Sequence, residues 1–220
     1  YYTSTAQLYA SEPQVEAVFI CVGPKQHPDL VLEALGRHMH VWVEKPIAVR
    51  AEQVERMIHA RKDRVVVVGL KKAFMPAAEK AREILAEKPA RSFKSILAVY
   101  HMTLPENGQA VLNQEDTPNW LRNGVHPLSF MLGICGPVYE VTTITNEQGY
   151  GAVLLKFCNG VMGTLHLSSG PQPNVEYYGI YGDDFEMNVM DTRIELRRGI
   201  PFSYSEKNNY APPGTDSGTI

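Results

Sequence analysis

Three short apolar runs decide most of what this chain can fold into. Glu16-Ala17-Val18-Phe19-Ile20-Cys21-Val22 stops at Gly23-Pro24, His40-Val41-Trp42-Val43 stops at Glu44-Lys45-Pro46, and Val65-Val66-Val67-Val68 stops at Gly69. A continuous apolar run this short, closed by turn residues, predicts a strand buried on both faces. Between the runs, Leu30, Val31, Ala34 and Leu35, and then Val54, Met57 and Ile58, recur at the three-and-four spacing of one helix face. Pro28 suits the first turn of the earlier helix and Gly36 its end. Strand, helix, strand, helix, strand, with crossovers of about a dozen residues, predicts βαβ units, a parallel sheet and helices on both of its faces. Proline lacks a backbone N–H and disfavours helix just before it, so the second strand ends at Lys45. In an open α/β sheet that carboxyl end is where ligands bind.

The pattern changes after Phe74. Residues 3–12 and 76–87 read as short helices and residues 120–133 as a longer one, with Leu121, Val125, Leu128 and Leu132 on one side. Residues 103–118 are loop-like. Strands follow at 95–100, 138–145, 152–158, 161–167, 176–181 and 193–197, and Asn159-Gly160 is a strong hairpin signal. Asp183-Asp184 after Gly182 reads as another turn. This half predicts an antiparallel sheet with its helices segregated, an α+β arrangement.

At 220 residues the chain can hold two domains, and its net charge of −3 gives no reason to expect nucleic acid or an anionic membrane as partner. No apolar run approaches the length of a membrane span. Cys21, Cys135 and Cys158 have no paired spacing. Each lies in an apolar run, which predicts buried free thiols and a reducing, cytoplasmic setting. The chain opens on Tyr1-Tyr2-Thr3 and closes on Gly218-Thr219-Ile220 without a final element, so it reads as an internal piece of a longer protein.

Ala17 to Pro24, His27, Ala34-Leu35, and His40-Val41 running into Glu44-Lys45-Pro46 together resemble the Gfo/Idh/MocA oxidoreductases. So do Gly124-Val125-His126-Pro127-Leu128, and the pair Ala152 to Phe157 with Gly163-Thr164-Leu165 around Asn159-Gly160. The resemblance implies the fold class: a partial Rossmann-type doubly wound parallel sheet over residues 1–74, the C-terminal portion of a dinucleotide-binding domain. An α+β substrate and oligomerisation domain with a mostly antiparallel sheet follows over residues 75–220. It implies NAD or NADP as cofactor, a sugar, inositol or related polyol as substrate, and a homo-oligomer. The glycine-rich phosphate loop of such domains is not in this sequence. By βαβ unit size, roughly 60 residues of the domain precede Tyr1.

Lys45 is the first catalytic candidate, because a lysine at the crevice can exchange a proton with a substrate hydroxyl. A solvated strand-end lysine is the plain alternative. His126 is the second candidate and matches the histidine of the resemblance. Where the family has an aspartate four residues earlier, this chain has Arg122. Arg122 and Asn123 are therefore substrate-binding candidates, and two readings stay open. Either Arg122 alters specificity toward anionic or polyhydroxy substrates, or the protein senses a ligand without turning it over. Val22, Gly23, Pro24, His27, Glu44, Lys45 and Pro46 are the cofactor-side candidates. For His27 a helix-start structural role weighs equally. Lys71 and Lys72 stand near a position where the family often carries arginine.

Overall fold

The computed structural model describes residues 1–89, 91–113, 119–170, 176–190, 193–199 and 215–219. The chain divides into two compact units, Tyr1–Leu70 with Asn107–Val125, and Lys71–Glu106 with His126–Ile220.

The first unit holds α1 (Thr5–Ser11), β1 (Ala17–Ile20), α2 (His27–Gly36), β2 (His40–Val43), α3 (Ala51–Arg61) and β3 (Val66–Val68). The strands pair in parallel in the order β1-β2-β3, with Phe19 opposite Trp42 and Trp42 opposite Val67. Local chemistry fixes the helix ends. Ser4 caps α1 by accepting from the Gln7 N–H, and the Gln53 side chain accepts from the backbone of Arg50 at the start of α3. Val31, Ala34 and Leu35 of α2, Met57 of α3 and Tyr9 of α1 share one core with Ile20, Val41 and Val43.

The burial of this sheet differs from the expectation. Phe19 is 76% and Val67 37% exposed, and Val22 and Val65 are exposed as well. The alternating residues Ile20, Val41 and Val43 are the buried set. Side chains alternate across a strand, so α1, α2 and α3 cover one face and leave the Phe19–Trp42–Val67 row open. The strands are therefore buried on one face, not two, and α1, α2 and α3 pack together on that face. Cys21 and Cys158 are likewise exposed, and only Cys135 is buried. An apolar run predicts a strand but not which of its residues face out.

In the second unit, α4 (Pro76–Ala86) precedes β4 (Phe93–His101). The rest of the sheet is β5 (Val138–Thr145), β6 (Gly151–Phe157), β7 (Met162–Ser168), β8 (Tyr177–Gly182), β9 (Phe185–Met190), β10 (Arg193–Gly199) and β11 (Thr215–Thr219). Its eight strands run in the order β11-β10-β9-β8-β4-β7-β6-β5. Every pair is antiparallel except β4–β7, which makes the sheet mixed. Gly160 closes the β6–β7 hairpin at φ 88°, and Asp184 turns β8 into β9 at φ 64°. The short helix α5 (Gly108–Asn113) lies inside the stretch that reads as loop. The helix α6 (Asn119–Cys135) begins in the first unit and continues into the second, where Phe130 and Met131 are fully buried. No helix among the described residues is long and apolar enough to cross a membrane.

Candidate active site

Lys45 directly follows β2, at the carboxyl end of the parallel sheet. Its ammonium donates to the backbone carbonyl of Arg122 at 2.9 Å, within the same unit. The lysine head is therefore held at a defined place. Glu44 lies beside it, and its Oε2 accepts from the Lys45 N–H at 3.1 Å. Glu44 and Trp42 both lie against Gly69 after β3, where an added Cβ would stand 3.1 Å from the Trp42 ring. A glycine is what allows that close approach. The Lys45–Pro46 peptide is cis.

His27 is fully buried. Its Nδ1 lies 2.9 Å from the Pro46 carbonyl and its Nε2 3.1 Å from the Val22 carbonyl. A neutral imidazole can donate to one of these carbonyls, and a protonated ring to both. The ring thus stands between the turn after β1 and the turn after β2, and bonds both turns when both of its nitrogens donate. The sequence signal for this is slight, since a histidine preceding Pro28 reads equally well as a helix start. Gly23 has open space around it, with nothing within 4 Å of where a Cβ would stand. The turns at Val22-Gly23-Pro24 and Glu44-Lys45-Pro46 thus sit side by side at the ends of adjacent strands, and at Gly23 the backbone can be approached closely by a ligand.

Arg122 is exposed and Asn123 half-buried on α6. Pro127 lies inside this helix and has no N–H to give the carbonyl four residues back, that of Asn123. In the second unit His126 is buried, at 8% exposure, and Ser129 Oγ donates back to the His126 carbonyl at 2.9 Å. That bond is the local back-bonding serines make in helices. Lys72 pairs with Glu176 at 2.8 Å, and Tyr178 donates to the same Glu176 oxygen at 2.9 Å. Glu176 and Tyr178 escaped the reading of the sequence, because strand alternation marks only the start of β8 and not what its polar residues meet.

Residues 1–72 match the family model of the Gfo/Idh/MocA oxidoreductases, described as an oxidoreductase family with an NAD-binding Rossmann fold. Over that stretch the chain resembles this family. Among curated relatives, a trans-1,2-dihydrobenzene-1,2-diol dehydrogenase of Mus musculus is 28% identical over 178 residues, covering 76% of this chain and 54% of the relative. A myo-inositol 2-dehydrogenase of Thermotoga maritima is 24% identical over 211 residues, covering 84% of this chain and 60% of that one. The chain therefore spans a little over half the length of these relatives. The fold matches the crystal structure of an NAD-binding oxidoreductase from Klebsiella pneumoniae with a TM-score of 0.76 at 19% identity, over 98% of this chain and 63% of that one. The likeness of fold thus extends from the parallel sheet into the mixed sheet.

Proposed function

We propose that the protein is an NAD(P)-dependent oxidoreductase acting on a hydroxyl-bearing carbon of a sugar, inositol or related polyol. The observation that carries this reading is Lys45, placed by β2 at the carboxyl edge of a parallel sheet with its ammonium fixed on a helix carbonyl. The relatives are dehydrogenases of an inositol and of a dihydrodiol, which supports a CH–OH substrate.

Residues 1–74 serve as the C-terminal portion of a dinucleotide-binding domain, and residues 75–220 as the substrate and oligomerisation domain. A nicotinamide cofactor, when bound, supplies the hydride acceptor or donor. Val22, Gly23, Pro24, Glu44, Lys45 and Pro46 would hold its nicotinamide end, and the open approach at Gly23 fits that use. No glycine-rich phosphate loop is among these residues. His27 contributes by fixing both turns through their carbonyls. Lys45 takes the hydroxyl proton in the oxidative direction and returns it in the reductive one. His126 orients the substrate hydroxyl or shares its proton, and Arg122 and Asn123 bind the remaining hydroxyls.

Ile144, Leu154 and Met162 are exposed, and strand register puts them on the sheet face opposite the buried Leu155 and Leu165. An apolar face of this kind suits self-association, so the protein works as a homo-oligomer. Its modest negative charge suits an enzyme of small molecules, which we place in the cytoplasm. A second reading, a ligand sensor without turnover, rests on the exposed arginine at 122 in place of a carboxylate.

The test is a titration of the purified protein with NADH and NADPH, followed by turnover on a panel of neutral polyols. Saturable binding and turnover support the dehydrogenase. Binding without turnover supports the sensor, and no binding of either cofactor removes both cofactor-based readings.

A further inference from the structure

The second unit holds a cavity that the mechanism above does not use. It measures about 430 Å³ and is lined by Arg91, Phe93, Lys94, Cys158, Asn159 and Gly160, all within that unit. Such a volume is in the range of a small-molecule site. Strand register explains why the two segments meet. β4 and β7 run in parallel with Ser95 beside Met162, so the residues that open β4 lie beside the β6–β7 turn. Gly160 holds that turn at φ 88°, and nothing lies within 4 Å of where its Cβ would stand. Phe93 is half-buried and gives the lining one apolar wall.

The lining is rich in hydrogen-bond donors and poor in acceptors. Arg91 is exposed, and its backbone sits at φ 66°, an uncommon conformation for a residue with a side chain. Among the described residues no contact occupies its guanidinium, a planar fork of five N–H groups that matches an oxyanion. The Lys94 ammonium donates to the Arg91 carbonyl at 2.8 Å and pairs with Asp183 at 3.0 Å. Both side chains of that pair are more than half exposed, so water screens it and the pair is weak. Asn159 Oδ1 accepts from the Val161 N–H at 3.1 Å, which leaves the amide N–H groups of Asn159 as donors. Among the described lining residues none is acidic. Arg91 and Lys94 set against Asp183 leave a balance of one positive charge.

We propose that this cavity binds a phosphate group, free or carried on a small organic body. Arg91 supplies the charge and the fork, and Lys94 and the Asn159 amide supply further donors. These donors come from two separate segments, which suits the several oxygens of a phosphate better than the two of a flat carboxylate. The volume left over takes an organic body against Phe93. Cys158 is exposed on the same lining, so an occupant shields its thiol. No residue of the cavity is shared with the Lys45 turn or with His126, so this site stands or falls apart from the dehydrogenase reading.

The test is alkylation of the full chain by iodoacetamide, a neutral reagent, with each cysteine peptide followed by mass spectrometry. Cys21 is exposed in the first unit and serves as the control within each sample. Inorganic phosphate and glycerol 3-phosphate are added in turn, against sodium chloride at matched ionic strength. In excess over its dissociation constant, at least one of the two should slow Cys158 by about threefold or more and leave Cys21 unchanged. Equal protection by both assigns the site to the phosphate group alone, and stronger protection by glycerol 3-phosphate assigns it to a phosphorylated organic ligand. Arg91→Gln should abolish the protection, and Arg91→Lys, which keeps the charge without the fork, should retain part of it. Lys94→Gln removes a donor and leaves Asp183 unopposed, so it should weaken protection as well. Both positions are exposed, and the two series check each other should one variant fail to fold. No protection of Cys158 by either phosphate, equal slowing of Cys21, or undiminished protection in Arg91→Gln overturns the site.

Discussion

Replacing His27 by phenylalanine isolates what the buried imidazole does for the Lys45 turn. The ring and most of the volume remain, and both nitrogens are lost. The carbonyls of Val22 and Pro46 then face an apolar ring at the positions where Nε2 and Nδ1 stood, at 3.1 and 2.9 Å. A ring that donates from both nitrogens loses two bonds and a neutral ring one, and a buried carbonyl left without its donor costs about 1–3 kcal/mol. The more apolar ring recovers about 1–2 kcal/mol by burial. The net loss is close to nil for one lost bond and about 1–4 kcal/mol for two, and the two-bond clamp corresponds to a fall of roughly 3–15 °C in melting temperature for a chain of this size. Urea unfolding followed by circular dichroism measures the first quantity, and a thermal melt the second. Because Pro46 follows Lys45 directly, turnover should fall along with stability, while His27→Gln, which keeps two amide donors, should recover part of both. A His27→Phe protein as stable as wild type would refute the view that this side chain clamps the two turns.

Three further outcomes follow from the same structure. At pH 8 an aromatic disulfide reagent should react quickly with two thiols, the exposed Cys21 and Cys158, and with the third only after unfolding, because burial pushes Cys135 from 9.0 up to about 12. The folded state then holds a proton that the unfolded thiol releases near 9.0, so between pH 9 and 12 this residue lowers stability as pH rises, which a urea series across that range would read. Gly163→Ala would bring a methyl to 2.7 Å from Phe157 and 3.0 Å from Met131, and should cost about 1–3 kcal/mol in urea unfolding. Arg122→Asp should raise kcat on neutral polyols several-fold if the arginine sets specificity; unchanged kinetics would remove Arg122 from the site.

The order of elements was legible because breakers and periodicity are local. Gly23-Pro24, Glu44-Lys45-Pro46 and Gly69 end strands for reasons that need no tertiary structure. Asn159-Gly160 forms its hairpin as its dipeptide predicts, and the helix carrying His126 runs over Asn119–Cys135. The open Phe19–Trp42–Val67 row was not legible, because an apolar run looks the same whether one face or both are covered. Strands β9 and β11 were missed. Phe185–Met190 mixes Glu186 and Asn188 with apolar residues, and Thr215–Thr219 carries no apolar side chain at all. In the site, the Lys45 motif stood out in sequence. The clamp by His27 and the ion pair at Glu176 did not, because both depend on partners far away in the chain: Pro46, 19 residues on, and Lys72 in another segment.

The central claim is that Lys45 moves the substrate proton while a nicotinamide exchanges the hydride. Stopped-assay kinetics of Lys45→Ala beside wild type, on a polyol the wild type turns over, test it most directly. The account predicts a loss of kcat of about a hundredfold or more, in line with removal of a general acid–base, with cofactor affinity and fold retained. Turnover by Lys45→Ala equal to that of the wild type would contradict it.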